Sequence, residues 1–367
     1  MRVLVVNAGS SSLKLRVLEG DDRLVGSADL PPPDSERVEV AVESAVHGFG
    51  RIDAVGHRVV HGGTEFVAPV VVDPAVRARL AALTDLAPLH QPKSLAGMDA
   101  VSAVLPDVPA VACFDTAFHA GMPAAASTYA LPAEWRSRWG VRRYGFHGLS
   151  HAYAARRVGE LCGPLLARPF RVVTCHLGAG ASLAAVLDGR SVDTTMGFTP
   201  LEGLVMATRS GSVDPGLVLW LQAHGGLSAD EVMTGLDRRG GLLGLAGSAD
   251  MRQVLAGVDR GELASVLALD VYLHRLIAGI AAMAASTGGL DALVFTGGVG
   301  EHAAVVRARA ADGLAFLGVR IDAAGNADGP LDREIGAAGA AVRTFVVEAR
   351  EDLEIARQVR AILVPSG

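Results

Sequence analysis

The fold is decided by residues 3–15, which read Val3-Leu4-Val5-Val6-Asn7-Ala8-Gly9-Ser10-Ser11-Ser12-Leu13-Lys14-Leu15. The first four residues form a continuous apolar run, which is typical of a strand buried in the middle of a sheet. The alternation that begins at Leu13 is typical of a half-buried return strand. The Gly/Ser turn between the two strands offers backbone N–H groups and hydroxyls that can hold phosphate oxygens. An ordinary hairpin turn is the simpler interpretation of this stretch taken alone.

A similar pattern returns in the second half of the chain. Residues 172–177 are predicted to be a strand, residues 178–182 a Gly/Ala/Ser turn, and residues 183–187 the return strand. When Ser12-Leu13 is laid over Ser182-Leu183, Leu18-Glu19-Gly20 falls on Leu187-Asp188-Gly189. The repeated pattern predicts a duplicated βββα unit in which each half presents a phosphate-holding hairpin. Chance similarity between two buried hairpins is the alternative.

Length and composition limit the classes of protein that this chain can belong to. A chain of 367 residues is too long for one ordinary core, so two domains are expected. Half of the residues are hydrophobic and 20% are charged, which excludes wholesale disorder. The formal net charge of -6 gives no reason to expect nucleic acid or an anionic membrane as a partner.

The cysteines and the apolar segments point to a cytoplasmic protein. Cys113, Cys162 and Cys175 are far apart and lie in or beside apolar segments, so we expect reduced core residues. The N-terminus shows no signal-peptide pattern. The longest apolar region, residues 263–285, contains charged side chains and is expected to be a core helix, not a membrane span.

The rest of the chain alternates between strand and helix patterns. Further strands are predicted at residues 23–28, 52–60, 108–114, 291–296 and 342–347, and helices at 35–47, 73–83, 94–105, 215–224, 229–238, 261–286 and 350–362. Residues 142–148 contain too many glycines and polar groups for simple core and are expected to be a functional loop. Gly-rich loops follow the strands at residues 57–63 and 297–302, where an open α/β sheet binds its ligands. Neither a Walker motif nor the dinucleotide fingerprint occurs in the sequence.

Taken together, these segments resemble the acetokinase family. The resemblance covers nearly the whole chain in the order of the family's motifs, at residues 7–14, 56–63, 88–92, 114–119, 143–151, 176–182, 196–211, 295–301 and 351–357. It implies a duplicated α/β fold shared with actin, sugar kinases and heat-shock ATPases, with two domains around a nucleotide cleft. The implied boundaries are an N-terminal actin-like domain of residues 1–116, completed by the C-terminal helix 353–367, and a C-terminal actin-like domain of residues 117–352 with the nucleotide and dimer contacts.

The resemblance also implies an activity. It is the reversible, direct in-line transfer of the ATP γ-phosphoryl group to acetate, which gives acetyl phosphate and ADP. The implied metal is Mg²⁺, with Mn²⁺ as an alternative, and the implied assembly is a homodimer.

The resemblance assigns catalytic roles to four residues, Arg58, Asp115, His147 and Arg209. The two arginines suit a carboxylate acceptor and phosphoryl oxygens because a guanidinium presents a charged fork. His147 and Arg209 are expected to stabilise the transferring phosphoryl group. A general base is unnecessary because acetate is already ionised at neutral pH, so Asp115 is expected to orient Arg58 or a metal-bound water.

The remaining implied site residues fall into four groups. The first group contains the lesser histidine candidates His90 and His176, with His151 as a support, and the second is a pocket for the acetate methyl group, formed beside Arg58 by Val60, Leu89, Phe146 and Pro200. The third group contains the metal ligands Asn7 and Glu351. The fourth contains the nucleotide-binding residues, which are Lys14, His176, Leu177, Gly178, Ala179, Gly180, Asp250, Met251, Arg252, Gly297, Gly298, Val299, Gly300 and Glu301. A small apolar pocket discriminates one methylene by only ~1–3 kcal/mol, so propionate is expected to be a poorer substrate.

Three departures from the family's pattern keep other functions open. Ala179 and His302 stand where the family usually has Asn, and Ala349-Arg350 stand where it has Thr-Asn. The segment before Arg58 is also shorter than is typical. The alternatives are a propionate or other short-chain acid kinase and a nucleotide-binding relative whose kinase activity is impaired.

Overall fold

The apolar run at the N-terminus forms the central strand of a mixed sheet in the computed structural model of the chain. The structure describes residues 1–9, 12–33, 35, 37–163 and 169–364, so Ser10 and Ser11 of the first Gly/Ser turn lie outside it. Its strands are β1 Val3–Ala8, β2 Leu13–Leu18, β3 Leu24–Leu30, β4 Ala54–Val59, β5 Val70–Val71, β6 Ala110–Phe114, β7 Arg171–Leu177, β8 Ala181–Leu187, β9 Arg190–Thr194, β10 Ala292–Thr296, β11 Arg333–Glu334 and β12 Arg343–Val346.

The helices lie mostly between strands in the chain order. They are α1 Val38–Phe49, α2 Pro74–Ala81, α3 Gln91–Val104, α4 Ala124–Ser127, α5 Ala133–Trp139, α6 Gly148–Cys162, α7 Pro215–Ala223, α8 Ala229–Arg238, α9 Gly241–Ala246, α10 Met251–Asp259, α11 Leu263–Ser286, α12 Gly297–His302, α13 Ala304–Gly313, α14 Ala323–Ala327 and α15 Glu351–Leu363. The predicted strands and helices are confirmed to within a few residues. The sequence patterns missed β5, β9 and β11, the 15-residue helix α6, the nine-residue helix α10 and several shorter helices.

The chain divides into two units. The first comprises residues 1–120, 146–153 and 350–367, and the second comprises residues 121–145 and 154–349. This differs from the expected boundaries chiefly at residues 146–153, which we placed in the C-terminal domain. Leu149 packs with Val3, Cys113 and Ile355, so this segment belongs to the core of the first unit.

The first unit is a six-stranded sheet in the order β3-β2-β1-β4-β6-β5. Strand β1 pairs antiparallel with β2 and parallel with β4, and β4 pairs parallel with β6. Leu4 and Val6 pack under α1 and α3, whereas Val3 and Val5 pack under α15 on the other face. Both faces of β1 are therefore buried, which explains its continuous apolar sequence.

The second unit repeats the same arrangement. Its sheet has the order β11-β12-β10-β7-β8-β9, in which β7, β10 and β12 are parallel and β7-β8-β9 is an antiparallel meander. When read from the opposite end, this order matches that of the first sheet strand for strand. The predicted duplication is therefore confirmed, and the similarity of the two hairpins is not a matter of chance.

The long apolar helix α11 covers one face of the second sheet. It packs against β7 and β8, and Gly279 allows a close approach to Leu183. Only one side of the helix is core, because Leu263 and Leu267 are exposed. Of the described helices, α11 alone is long and apolar enough to cross a membrane, and 39% of its most apolar 18-residue window is buried.

Candidate active site

Three polar residues of the first unit lie at the carboxyl ends of its parallel strands. Asn7 is near the end of β1, Arg58 near the end of β4, and Asp115 directly follows β6. Because β4 lies between β1 and β6, the carboxyl ends of the three strands meet at one edge of the sheet. This edge is where open α/β sheets bind ligands.

The most closely bonded pair at this edge is Arg58 and Asp115. Nε of Arg58 donates to both carboxylate oxygens of Asp115 at 3.2 and 3.1 Å, and Nη2 donates to Oδ2 at 2.6 Å. The Asp115 side chain is 1% exposed and that of Arg58 is 18% exposed. The carboxylate therefore fixes the arginine while one side of the guanidinium remains accessible.

Asn7 and Glu351 complete the cluster. Nη1 of Arg58 donates to Oδ1 of Asn7 at 3.1 Å, and Nδ2 of Asn7 donates to Oε2 of Glu351 at 3.3 Å. The same Glu351 oxygen lies 3.8 Å from Nη1 of Arg58. The hydrogen bonds to Asp115 and Asn7 use three of the five N–H groups of the guanidinium, so one N–H on each terminal nitrogen can bind a substrate anion.

The ionisable groups of this cluster shift one another's pKa values. Burial disfavours the charged form of Arg58, but the nearby charges of Asp115 and Glu351 outweigh it and raise the pKa of Arg58. Burial raises the pKa of the Asp115 carboxyl, and the charge and hydrogen bonds of Arg58 oppose that shift. The arginine consequently keeps its positive charge at any pH at which the protein is folded.

His147 is held beside this cluster by its backbone. Its φ is +56°, a left-handed conformation that is uncommon for a residue other than glycine. The next residue, Gly148, begins α6, and its N–H donates to the carbonyl of Asp115 at 2.9 Å. A Cβ atom at Gly148 would collide with that carbonyl, so the close approach requires glycine. Such local strain often marks functional sites.

The residues predicted for the methyl pocket differ in their burial. Val60 and Phe146 are buried, and the Phe146 ring packs edge-on against His61 at 5.4 Å between centroids. Leu89 is 42% exposed, so it would cover only part of one side of such a pocket. Pro200 belongs to the second unit.

The support histidines lie near Phe146. Nε2 of His119 is 3.1 Å from the carbonyl oxygen of Phe146, and the His119 and His151 rings are 5.7 Å apart. His90 precedes α3 in the first unit, whereas His176 lies in β7 of the second. His151 therefore lies in a buried cluster with His119, and its role as a support residue stays a prediction.

The second unit carries its polar and Gly-rich segments at the equivalent edge. Residues 178–180 follow β7, where Gly178 N–H donates to Gly180 O at 2.9 Å and forms a tight turn. Helix α12 begins at Gly297, directly after β10, without an intervening loop. Gly297 has a φ of +77°, and a Cβ atom there would lie 2.9 Å from the Leu177 carbonyl oxygen. Backbone N–H groups at a helix start can bind phosphate.

A cavity of about 600 Å³ lies among these segments. It brings together seven predicted nucleotide-binding residues, which are Gly178, Ala179, Asp250, Met251, Arg252, Gly298 and Val299. The sequence analysis missed Ala207, Leu242, Ala249, Leu255, Tyr272 and Ala303, which also line it. His302, named only as a departure from the family's pattern, lines it as well. The apolar residues among these have the sequence signature of ordinary core, so no local pattern distinguishes them.

Asp250 and Arg252 form the charged rim of this cavity. The Asp250 side chain caps α10 by accepting from the Arg252 N–H at 2.9 Å, and it also pairs with the Arg252 guanidinium at 2.6 Å. Hydrogen bonds from the Arg252 side chain and backbone lower the pKa of Asp250. The Arg252 side chain is almost fully exposed, so its pairing with Asp250 lies at the protein surface.

Glu301 lies within the Gly-rich helix but its carboxylate is already engaged. One oxygen, Oε1, accepts from Gly297 N–H and from Ala349 N–H, both at 2.9 Å. Its side chain is 9% exposed. Glu301 therefore fastens the start of α12 to the segment that follows β12.

Arg209 is held at the second unit's long loop between β9 and α7. Its Nη1 donates to the Pro200 carbonyl at 3.2 Å, and its Nε lies 3.2 Å from Oδ1 of Asp237. These contacts leave Nη2 for a substrate oxygen. The sequence analysis did not find Asp237, which sits near the end of a helix whose pattern shows only surface charge.

Two predicted nucleotide-binding residues require separate mention. Lys14 is opposite Asn7 in the β1-β2 ladder, on the first unit, and its side chain is exposed. Gly300 is buried, and Arg307 donates to its carbonyl at 2.9 Å. Neither residue is among those that line the cavity of the second unit, and the same holds for five further predicted residues, His176, Leu177, Gly180, Gly297 and Glu301.

The donor set at the first unit's sheet edge fits a magnesium ion. Asn7 and Glu351 place an amide and a carboxylate side by side, and Mg²⁺ prefers few protein oxygens together with waters and phosphates. Among the described residues, no group of three or more His, Cys, Asp or Glu side chains could hold a metal. Asn7 Oδ1 accepts from Arg58 in this structure, so this oxygen would have to exchange that hydrogen bond for a metal ion.

Comparison with known proteins gives a consistent result. The sequence pattern of the Acetokinase family matches residues 38–357. The chain is 52% identical to an acetate kinase of Gloeobacter violaceus over 309 residues, which cover 84% of this chain and 76% of that protein.

Two solved structures are similar over almost their full length. The crystal structure of Porphyromonas gingivalis acetate kinase has a TM-score of 0.89 at 36% identity, covering 99% of each chain. That of a Francisella tularensis propionate kinase has a TM-score of 0.90 at 33% identity, covering 98% of this chain and 99% of the other. The family match and these identities together establish that the chain belongs to the acetokinase family.

Proposed function

We propose that this protein is a kinase of acetate, which transfers the γ-phosphoryl group of ATP reversibly and in line to the acetate carboxylate. The observation that carries the proposal is the fixed Arg58 guanidinium, which has two N–H groups available beside the Asn7 and Glu351 oxygens. A carboxylate accepts two parallel N–H groups of a guanidinium well. Relatives and solved structures named acetate kinase support the choice of substrate.

In the proposed reaction, the protein mainly aligns the two substrates and neutralises the charge of the transferring phosphoryl group. A carboxylate nucleophile is ionised at neutral pH, so no side chain needs to remove a proton. Arg58 would bind and orient the acetate, with Asp115 holding the guanidinium in place. Arg209 and His147 would donate to the oxygens of the transferring phosphoryl group, where negative charge is spread in the transition state.

The nucleotide is proposed to bind to the cavity of the second unit. Adenosine would occupy its apolar part, and the backbone N–H groups at the start of α12 would face the phosphates. Asn7 and Glu351 would hold Mg²⁺, which supplies positive charge that neutralises the phosphate oxygens when it is bound. Mn²⁺ has similar ligand preferences and would be expected to substitute.

An assay that traps the product decides between a kinase and a nucleotide-binding relative whose kinase activity is impaired. Purified protein is incubated with acetate, ATP and Mg²⁺, and acetyl phosphate is trapped as its hydroxamate. We expect product to form in proportion to enzyme, and calorimetry reports nucleotide binding on the same sample. Nucleotide binding without any product would overturn the proposal and favour the impaired relative.

Propionate is the second candidate substrate. The exposed side chain of Leu89 would leave room for one more methylene, and the similar Francisella tularensis structure is a propionate kinase. We expect kcat/KM for acetate to exceed that for propionate by about 10-fold, because one methylene in an apolar pocket is worth ~1–3 kcal/mol. A higher kcat/KM for propionate would reverse the assignment.

We further propose a cytoplasmic homodimer, on the strength of the family resemblance. The net charge of -6 also argues against nucleic acid as a partner. Light scattering coupled to size exclusion would give the mass, and a mass of one chain would contradict the dimer.

A further inference from the structure

The loop that carries Arg209 has no regular structure of its own. It runs from Thr195, after β9, to Arg209, and its two ends are joined to the sheet and to α9 by backbone hydrogen bonds. Arg209 reaches back to the Pro200 carbonyl within the same loop. The position of the guanidinium therefore depends on where Pro200 lies as well as on its ion pair with Asp237.

Two residues after Pro200, Glu202 is held by both of its carboxylate oxygens. Oε1 accepts from Nη2 of Arg143 at 2.7 Å, and Oε2 accepts from the Tyr129 hydroxyl at 2.5 Å. Arg143 and Tyr129 come from the segment that precedes α6 and lie far from Glu202 in sequence. We call these three side chains the Glu202 clamp.

The clamp also holds the backbone on the other side of Pro200. Nη1 of Arg143 donates to the carbonyls of Thr195 and Met196 at 3.2 and 3.1 Å. The Tyr129 oxygen accepts from the Phe198 N–H at 2.9 Å. The loop is thus fastened on both sides of Pro200 by the same two side chains.

The backbone of the loop approaches the clamp closely at Gly197. A Cβ atom at Gly197 would collide with the Glu202 carboxylate and the Tyr129 hydroxyl. The Arg143 guanidinium lies over the Tyr129 ring, 5.4 Å from its centroid. Burial and the Glu202 carboxylate raise the pKa of Tyr129 to about 12, so its hydroxyl remains a donor at neutral pH.

We infer that Glu202 is a positioning residue for Arg209, acting through the Pro200 carbonyl, with Arg143 and Tyr129 as its supports. The inference rests on the proposed function, in which Arg209 stabilises the transferring phosphoryl group. A displacement of about 1 Å in such a group can lower the rate by ~10²-fold. Loss of the clamp should therefore lower kcat more than it weakens substrate binding.

The main test is Glu202→Gln, which keeps the size of the side chain but removes its charge. We expect kcat to fall about 10-fold or more, with KM for ATP within about twofold of wild type. The matched control is Glu134→Gln, an exposed glutamate of α5 that lies outside the clamp. If Glu202→Gln folds poorly, Tyr129→Phe replaces it as the test, because this change removes only one hydroxyl.

A double-mutant cycle separates positioning from a purely structural role. If Glu202 acts through Arg209, Glu202→Gln should cause little further loss of kcat in an Arg209→Lys background. Losses that multiply in the double variant would show independent effects and overturn the inference. A fall in Tm together with unchanged kcat would also overturn it.

Hydrogen exchange gives a readout that does not depend on activity. Peptides that cover residues 196–210 should exchange faster in Glu202→Gln than in wild type or Glu134→Gln, at equal Tm. Unchanged exchange would overturn the inference even in an active enzyme. If the wild type is inactive but residues 196–210 still exchange faster in Glu202→Gln, the proposed function is overturned. The role of Glu202 in holding the loop then stands.

Discussion

Arg58 and Asp115 are bound to each other by the Nε and Nη2 groups of the arginine, although 57 residues separate them in sequence. Each sits at the end of a parallel strand, and β4 and β6 are neighbours in the sheet. The pairing therefore follows from the topology: two strand ends that lie side by side can bring an acidic and a basic side chain together at the ligand-binding edge.

Asp115→Asn is predicted to reduce both activity and stability. The change leaves the partly buried Arg58 with only the more distant Glu351 carboxylate as a counter-charge. Removing one partner of a fully buried pair costs about 3–5 kcal/mol, which is the upper limit here. The guanidinium would also lose its orientation, so we expect kcat/KM for acetate to fall by about 10²-fold or more. Urea unfolding and the hydroxamate assay measure the two effects.

The matched control for this prediction is Asp99→Asn. Asp99 pairs with Arg77 at 2.6 Å, but both side chains are substantially exposed. An exposed ion pair contributes no more than ~1 kcal/mol. Equal losses of stability in the two variants would contradict the role assigned to the Asp115 pair.

The sequence was sufficient to predict this sheet edge but not its contacts. The apolar runs before Asn7, Arg58 and Asp115 each predict a strand that ends in a polar residue, and the repeated hairpin predicts the duplication. Periodicity is a local signal, so it cannot show that Asn7 meets Glu351, 344 residues away. That contact depends on α15 packing under β1 and β4, which only the folded chain determines.

The Gly-rich helices were the least predictable elements. α9 and α12 contain several glycines, and glycine in a helix costs about 1 kcal/mol relative to alanine. Tertiary contacts override this preference at α12, where Arg307 donates to the carbonyls of Gly300 and Glu301 at 2.9 Å each. The sequence presents Arg307 as a surface charge, whereas the structure buries it.

Glu351→Gln is predicted to weaken the binding of Mg²⁺ by the enzyme. A neutral amide is a poorer Mg²⁺ ligand than a carboxylate, so we expect the Mg²⁺ concentration for half-maximal activity to rise about 10-fold. Titration of activity with Mg²⁺ at saturating ATP measures it. Asp352→Asn is the control, because Asp352 is the next residue in α15 but is bound to Arg350 at 2.9 Å. A rise of the same size in the control would contradict the assignment of Glu351.

Acidification is predicted to destabilise the protein through three buried histidines. Burial lowers the pKa of His57, His61 and His119 from 6.5 to about 4. The unfolded chain therefore binds more protons than the folded chain between these values. This contribution to stability is complete above pH 6.5 and is lost as the pH falls toward 4, by up to about 1.4 kcal/mol per pH unit for each histidine. Urea unfolding at pH 7 and pH 5 would show the loss.

His57→Leu isolates one of these contributions. His57 is 1% exposed, and neither ring nitrogen has a hydrogen-bond partner within the described ranges. An apolar side chain of similar size would remove an unsatisfied polar group, so we expect stability at pH 7 to be equal or higher. The slope of stability against pH between 6.5 and 4 should fall by about one proton. An unchanged slope would show that His57 does not titrate as expected.

Glu301 offers a test in which two substitutions should give opposite results. Its Oε1 alone accepts from the N–H groups of Gly297 and Ala349, so the structural role requires one acceptor oxygen and no charge. Glutamine keeps such an oxygen, whereas alanine leaves two partly buried N–H groups without their acceptor. We expect ADP affinity, measured by calorimetry, to be within about threefold of wild type in Glu301→Gln. In Glu301→Ala it should fall about 10-fold or more, because a lost acceptor costs ~1–3 kcal/mol and the start of α12 would shift. If Glu301→Gln lost as much affinity as Glu301→Ala, the negative charge, not the hydrogen bonds, would be the feature that the nucleotide site requires.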